Sequence, residues 1–489
     1  MAKLSRRGFL AGAGSSVLTL GAAPLALPRW RPHDEVRIAC VGIRGRGRAH
    51  IDGFRRLDGV RVVALVDVDR DVLAREAKRF TERGEKVDTE VDLRRVLDRD
   101  DVDAIAVASP NHWHALQAIW ACQAGKDVYL EKPVSHNVWE GSRIVAAARK
   151  YGRIVQSGTQ SRSSHGLAEG IAFVQSGKLG AIRLARGLCY KPRRSIGKVA
   201  GPQQVPDAVD YDLWCGPSPK AELRRRNLHY DWHWDFRTGN GDVGNQGIHQ
   251  MDIARWALGQ TTLPRHTLSI GGRVGYDDDG DTPNTQIVYH EFDEGPPLLF
   301  EVRGLPRDRA AQQDGWNKQM DAFAGVGIGV VVHCEAGTLR IPDYHRAIAL
   351  DADGEEVARF EGSSDHLANF IAAVRSRRVE DLAADIREGH VSSAMCHMGN
   401  LSHLLGARAG KCELDLAAEK DPHLAEAWRR MHAHLDANGV DVDDADPTCA
   451  VRLGPRLSMD PATERFADAA SNALLARAYR DGFVVPQDV

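Results

Sequence analysis

The 489-residue chain has no Cys-x-x-Cys pair, and its eight cysteines are scattered singly from Cys40 to Cys449. That spacing offers neither a thiolate metal site nor a disulfide framework. Cys40, Cys122, Cys189 and Cys396 sit in apolar or small-residue runs, where buried free thiols are expected. No other metal-ligand spacing is present, so no metal site is expected. Net charge is also small, formally −3, which excludes nucleic acid as a general electrostatic partner. Internal repeats and low-complexity linkers are missing as well. What remains is an ordinary globular composition, 43% hydrophobic and 27% charged. The length exceeds one ordinary domain and predicts two or three.

The first specific feature is Ser5-Arg6-Arg7-Gly8-Phe9-Leu10, which matches the twin-arginine export pattern. The uncharged stretch over residues 9–27 is rich in Gly and Ala and carries Pro24, with Pro28 just beyond it. It makes a poor membrane-spanning helix, so no stable membrane insertion is expected. Gly21, Ala22 and Ala23 offer a cleavage site, and no cysteine before Cys40 provides a lipid anchor. Residues 1–33 therefore read as a signal peptide for the twin-arginine machinery, delivering a periplasmic protein. That route carries proteins already folded, commonly around a cofactor. A periplasm replenishes no dissociable cofactor, so an enzyme using one there must hold it tightly and regenerate it in each turnover.

Residues 36–41 form an apolar run of strand length, followed by Gly42-Ile43-Arg44-Gly45-Arg46-Gly47 and a helical pattern over 49–56. Strand, glycine-rich turn and helix set backbone N–H groups and a positive helix end against a pyrophosphate. The next apolar run, 60–66, ends at Asp67, twenty residues after Gly47. A carboxylate there accepts hydrogen bonds from the adenosine ribose and repels a 2′-phosphate, which predicts NAD over NADP. Asp69 is the near alternative, and Arg70 leaves NADP possible. Arg44 replaces the middle glycine of G-x-G-x-x-G, with Gly45 beside it to allow the close backbone approach. Arg44 or Arg46 adds charge near the phosphates. A further strand-like run at 102–108 closes on Ser109-Pro110-Asn111-His112-Trp113-His114. A helix over 115–124 then leads to a short strand at 127–130 and to Glu131-Lys132-Pro133. Proline after the lysine disfavours helix at Lys132 and places the turn at a strand's carboxyl end, where open parallel sheets bind ligands.

These motifs resemble the Gfo/Idh/MocA family, the glucose-fructose oxidoreductase and inositol dehydrogenase group. Gly42, Ile43, Arg44, Gly45 and Gly47, then Asp67, then Pro110-Asn111-x-x-His114, then Glu131-Lys132-Pro133 follow the family's order and spacing. The resemblance implies an α/β protein with an N-terminal Rossmann doubly wound parallel sheet over 34–155. A C-terminal α/β domain with an open, mostly antiparallel sheet follows over 156–411, and an extension over 412–489. It implies bound NAD held by those residues. Lys132 is then the catalytic lysine, hydrogen-bonding the reacting hydroxyl and moving its proton. The open sheet face commonly builds the family's subunit interface, which implies a homo-oligomer.

In the second half, strand-like runs fall at 182–189, 268–270, 285–292, 298–302 and 329–333. His229-Tyr230-Asp231-Trp232-His233-Trp234-Asp235-Phe236 alternates polar and aromatic residues. As a strand it would put four aromatics on one face and His229, Asp231, His233 and Asp235 on the other. Aromatic faces suit the C–H faces of sugars, and imidazoles and carboxylates suit hydroxyls. That makes Trp232 and His233 candidate substrate contacts; the alternative is a structural element with its aromatics in the core. Tyr190, a further candidate substrate contact, opens Tyr190-Lys191-Pro192-Arg193-Arg194, which either brings cationic groups to the site or remains a solvated loop. The family's Asp-x-Gly-x-His-x-x-Asp pattern is matched at Gly247, His249 and Asp252, with Asn245 in place of the first Asp. By that match His249 is the proton partner of Lys132, while Asn245 and Asp252 position the substrate. His390 and His397 share one helical face and read either as structural or as lining the active site. The whole implies hydride transfer between tightly held NAD and a carbohydrate alcohol or ketone. Some proteins resembling this chain instead use bound NAD to cleave glycosidic bonds by oxidation, elimination, water addition and re-reduction, which also returns the cofactor to its starting state.

Overall fold

A computed structural model describes residues 35–316 and 319–489. The signal peptide expected over 1–33 lies outside the described residues. Six parallel strands come first: β1 (Val36–Val41), β2 (Val60–Val66), β3 (Asp88–Glu90), β4 (Ala104–Val107), β5 (Asp127–Leu130) and β6 (Val155–Ser157). Their spatial order is β3-β2-β1-β4-β5-β6. Helices α1 (Arg46–Phe54), α2 (Arg70–Thr81), α3 (Leu93–Leu97), α4 (Asn111–Gln123) and α5 (Val138–Lys150) connect them. Ile38 and Cys40 point into a core with Phe54 and Tyr129, while Ala39 and Val41 point into one with Leu116 and Ile119. Burial on both faces is why these strands read as continuous apolar runs. The order reverses between β1 and β4, and a ligand crevice belongs there.

The chain continues through α6 (His165–Gln175), β7 (Ile182–Tyr190), α7 (Tyr211–Cys215), α8 (Gly241–Asn245) and α9 (Gly247–Ala257). Next come β8 (His266–Gly272), β9 (Thr285–Glu291), β10 (Leu298–Arg303), α10 (Arg309–Gln313), β11 (Ile328–Cys334), β12 (Gly337–Ile341), β13 (Arg346–Asp351) and β14 (Glu356–Glu361). After α11 (His366–Ser376) and α12 (Ile386–Leu405) the chain adds β15 (Ala407–Arg408), α13 (Lys411–Ala418) and α14 (Pro422–Ala437). It ends with β16 (Arg452–Leu453), β17 (Leu457–Asp460), β18 (Arg465–Phe466) and α15 (Ala469–Ala473). Among the described residues the second sheet has twelve strands, and only the β7–β10 pairing in it is parallel. Helices α6, α9 and α12 pack on one face.

The last 78 residues are built into the molecule rather than appended to it. Leu424, Trp428, Met431 and Leu435 of α14 lie against Leu184, Ile287 and Leu299 on the sheet face away from α9. β16 and β17 pair with β8, strands too short to carry a readable period. Chain order and packing also part company at α11. Phe370, Ile371 and Val374 return to the first sheet beside Phe54, while Phe483 and Val485 pack with Trp113 on its other side. Cys40, Cys122, Cys189 and Cys396 are buried free thiols, as expected.

Candidate active site

The glycine-rich turn is held by sterics that only glycine satisfies. A Cβ at Gly42 (φ 71) would lie 2.5 Å from the Ser109 nitrogen, and one at Gly47 would lie 1.9 Å from the Gly42 oxygen. Gly45 differs: its φ is 57, yet nothing lies within 4 Å of a Cβ built there. It faces open space and precedes α1, whose first turn has no side-chain cap and no acidic residue. That helix end presents unclaimed N–H groups and a positive dipole. Asp67 closes the turn, accepting from the Ile43 N–H (3.0 Å) through one oxygen and from the Asp69 N–H (3.0 Å) through the other. Burial pushes its pKa up to about 6. Asp69 is committed elsewhere, capping α2 through Asp71 N (2.9 Å) and meeting His229 Nε2 at 2.9 Å.

A cleft of ≈ 550 Å³ runs from Asp67 past Gly42, Gly45 and Pro110 to Trp232 and His233. An arm of the second domain closes over its adenosine end. Val209 bridges to Asp69, Asp210 N donates to the Val68 oxygen (2.9 Å), and Arg70 N donates to the Ala208 oxygen (3.0 Å). These residues fit NAD: Gly45 and the α1 N-terminus for the pyrophosphate, and Asp67, with acceptor capacity to spare, for the ribose. Arg44 is exposed at the cleft wall. Arg46, also exposed, donates to Glu131 at 2.6 Å, and His50 one turn on meets the same oxygen at 3.0 Å.

Those two contacts tie the cofactor turn to the end of β5. Burial opposes ionisation of Glu131, but Arg46 and His50 outweigh it and hold the carboxyl well below its usual range. The other Glu131 oxygen accepts from the Lys132 N–H (3.2 Å). Lys132 Nζ then reaches across to the second domain and donates to the Asn245 carbonyl at 2.8 Å. Burial lowers the Lys132 pKa; Glu131 raises it, while Arg46, Lys191 and Arg193 lower it further. His249, on α9, lies close enough that the Lys132 charge adds to burial in pushing its imidazole down to about 3. Its Nδ1 is buried with no hydrogen-bond partner among the described residues, and its ring centroid lies 5.1 Å from that of Tyr344.

Sequence reasoning did not single out three neighbours. Gln246 Nε2 donates to Tyr344 Oη (2.6 Å), and Gln246 Oε1 accepts from Lys191 Nζ (2.6 Å). Lys191 was visible only as part of a cationic stretch. Tyr344 comes from the β12–β13 turn, far away in sequence and without a local signal.

Several expected contacts are placed differently. Residues 229–236 are not a strand: Asp231–Trp234 form a 3-10 turn. Side-chain oxygens take over the backbone there, with Asp231 accepting from Asn227 N (3.0 Å) and Thr238 Oγ1 donating to the Trp232 oxygen (2.9 Å). Trp232 and His233 still line the cleft, their rings stacked at 3.7 Å, whereas Trp234 is buried. Tyr190 is corrected as a substrate contact. Along β7, Ala185 and Cys189 face α9, so Tyr190 faces away, and its hydroxyl donates to Glu301 at 2.7 Å. Asp252 is likewise not free. It is 1% exposed and takes Arg162 through both oxygens at 2.9 Å and Ser392 at 2.7 Å. Asn111 and His114 clasp the site from behind. Asn111 donates to Asn240 (2.9 Å), and the His114 ring sits between the Pro133 (2.6 Å) and Ser109 (2.7 Å) carbonyls.

A six-stranded 321456 parallel sheet, a glycine turn with a spaced carboxylate and a lysine at a strand end define an NAD-binding oxidoreductase. Residues 36–159 match the family model described as "Oxidoreductase family, NAD-binding Rossmann fold", and residues 178–304 match the same family's "C-terminal alpha/beta domain". The chain belongs to the Gfo/Idh/MocA oxidoreductase family. Among curated relatives, a "Glycosyl hydrolase family 109 protein 2" of Shewanella sp. (strain MR-4) is 33% identical over 344 residues, 59% of this chain and 75% of that protein. A "Glycosyl hydrolase family 109 protein" of Shewanella pealeana is 31% identical over 171 residues, and the match spans only 38% of its length. Among solved structures, the WlbA dehydrogenase of Bordetella pertussis, crystallised with NADH and UDP-GlcNAcA, superposes with a TM-score of 0.54 at 18% identity. That match covers 75% of this chain and 95% of the other. An oxidoreductase of Thermotoga maritima gives 0.54 at 14%, covering 75% and 95%.

Proposed function

We propose that the protein transfers hydride between tightly held NAD and a hydroxyl-bearing carbon of a sugar, and that it does so after export. NAD, when bound, supplies reversible uptake of hydride from that carbon. Lys132 carries the reading: its Nζ stands at the carboxyl end of β5 on a single carbonyl, Asn245 O, at 2.8 Å. A substrate hydroxyl takes that carbonyl's place, and the lysine, its pKa lowered by burial, accepts the hydroxyl proton and returns it in the reverse direction. His249 takes part as a neutral imidazole, an acceptor for a substrate hydroxyl, since burial and Lys132 keep it unprotonated at neutral pH. Trp232 and His233 offer stacked rings at the mouth. Arg162 and Asp252 hold α9 in register from below.

A second reading rests on the Shewanella relative named a glycosyl hydrolase at 33% identity. In it the same proton transfers serve a redox-neutral cleavage of a glycosidic bond. The arm over the adenosine end and the twin-arginine pattern at residues 5–10 both support a cofactor that stays bound. The test is to denature protein purified from cytoplasm and quantify the released nucleotide, then challenge the intact enzyme with free sugars and 4-nitrophenyl glycosides. Near-stoichiometric NAD(H) with sugar-dependent absorbance at 340 nm supports hydride transfer. Nitrophenol release without net reduction selects the glycosidase, and an empty protein inert to both overturns the proposal.

A further inference from the structure

Lys132 and Lys191 end on consecutive residues: Lys132 Nζ donates to the Asn245 carbonyl (2.8 Å) and the Lys191 ammonium to Gln246 Oε1 (2.6 Å). Both acceptors are neutral. The carboxylates around them are already matched. Glu131 is shared by Arg46 and His50, Asp242 takes both arms of the Arg193 guanidinium (2.7 and 2.8 Å), and Asp252 takes Arg162. Lys191 is thus a part-buried cation with no counter-ion of its own among the described residues. Withdrawing a charge from water without an acid is unfavourable, and a ligand anion relieves it.

The surroundings of Lys191 are built rather than incidental. Gln246 Nε2 is held by Tyr344 Oη at 2.6 Å, which turns Oε1 toward the ammonium. With Lys132 assigned to the reacting hydroxyl, Lys191 is left with one positive charge for a second group. One charge matches a ring carboxylate better than a phosphate dianion. We infer that the substrate is an acidic sugar, a hexuronate or a glycoside of one, whose carboxylate is received by Lys191 beside Gln246 and Tyr344. This rests on the sugar-oxidation reading above.

The test uses the purified enzyme with its bound NAD. Initial absorbance changes at 340 nm are compared for D-glucuronate and D-galacturonate, for glucose and galactose, and for glucose 6-phosphate, with calorimetric titration of each. The expected result is a preference for uronates of about tenfold or more in kcat/KM, the scale of one charge-assisted contact. Lys191→Met should collapse that ratio chiefly through KM, and Lys191→Arg should restore part of it. Equal or better use of neutral hexoses or of the hexose phosphate overturns the inference while leaving sugar oxidation intact. If no sugar reacts, the reading of function fails instead, and calorimetry still decides: uronate binding lost in Lys191→Met supports the carboxylate site, and binding indifferent to Lys191 overturns it.

Discussion

Asp67 is a carboxylate whose free-state pKa has been lifted to about 6 by burial. Ribose hydroxyls donate to the ionised form, so cofactor binding pulls that pKa down, and protons and NAD compete. NAD affinity should then be full above about pH 7 and fall by up to roughly tenfold per unit below pH 6, until the lower bound-state pKa is reached. A fluorescence-quench titration between pH 5 and 8 checks it, and Asp67→Asn should bind more weakly with a flat profile over that range. Lys132→Met should lower kcat by about 10²–10⁴ while stoichiometric NAD remains bound, because general acid–base help is lost without touching the pyrophosphate site. Gly42, Gly47, Asp67 and Lys132 were legible in the sequence because the backbone sterics and strand-end chemistry that fix them are local. Tyr190 and Asp252 were not. Which face of β7 a residue takes depends on the strand's pairing, and the partner of Asp252 is Arg162, ninety residues away.

The segment 229–236 shows the same limit at the level of an element. Its polar–aromatic alternation predicts a strand, but the Asp and Thr side chains satisfy backbone groups locally and wind it into a turn. The aromatic and imidazole content reaches the cleft all the same, by a different geometry. The arm containing it meets the adenosine-side edge of the first domain through the Val209–Asp69 bridge, two backbone hydrogen bonds and His229 on Asp69 at 2.9 Å, and meets α4 through His112 and Trp113 on the Trp214 carbonyl (3.0 and 3.2 Å). Removing one such contact should loosen closure without emptying the site. His229→Ala is expected to speed NADH release by about threefold to tenfold, the scale of one charge-assisted hydrogen bond at a half-buried position. A stopped-flow chase with excess NAD reads it. An unchanged rate would mean that the arm does not gate cofactor exit.

Across the whole molecule, the first sheet was readable from its apolar runs of strand length and its glycine-rich turn, whereas the open, mostly antiparallel second sheet was implied by the family resemblance, with five strand-like runs to fit it. The path of the last 78 residues was not readable, because β16, β17 and β18 are two to four residues long, and β16 and β17 take their place from β8 while β18 takes its place from β17. The consequence is a sheet whose second face, the one expected to meet a partner subunit, is covered across β7–β10 by α13 and α14 of the same chain. If α14 is core, its central tryptophan should behave as one. Trp428 is 1% exposed, packs in the cluster with Leu299 and Ile287, and donates Nε1–H to Asp415 at 2.7 Å. Trp428→Ala should therefore destabilise the protein by about 3–5 kcal/mol, as for other large-to-small changes in a packed interior, read from the shift of a denaturant unfolding curve. A helix merely resting on the sheet would lose under about 1 kcal/mol, within the range of surface changes. Amide exchange separates the remaining possibility. Protection of α14 and β9 that stays constant as the protein is diluted marks a face sealed within one chain, and protection that falls on dilution marks one completed by a second copy.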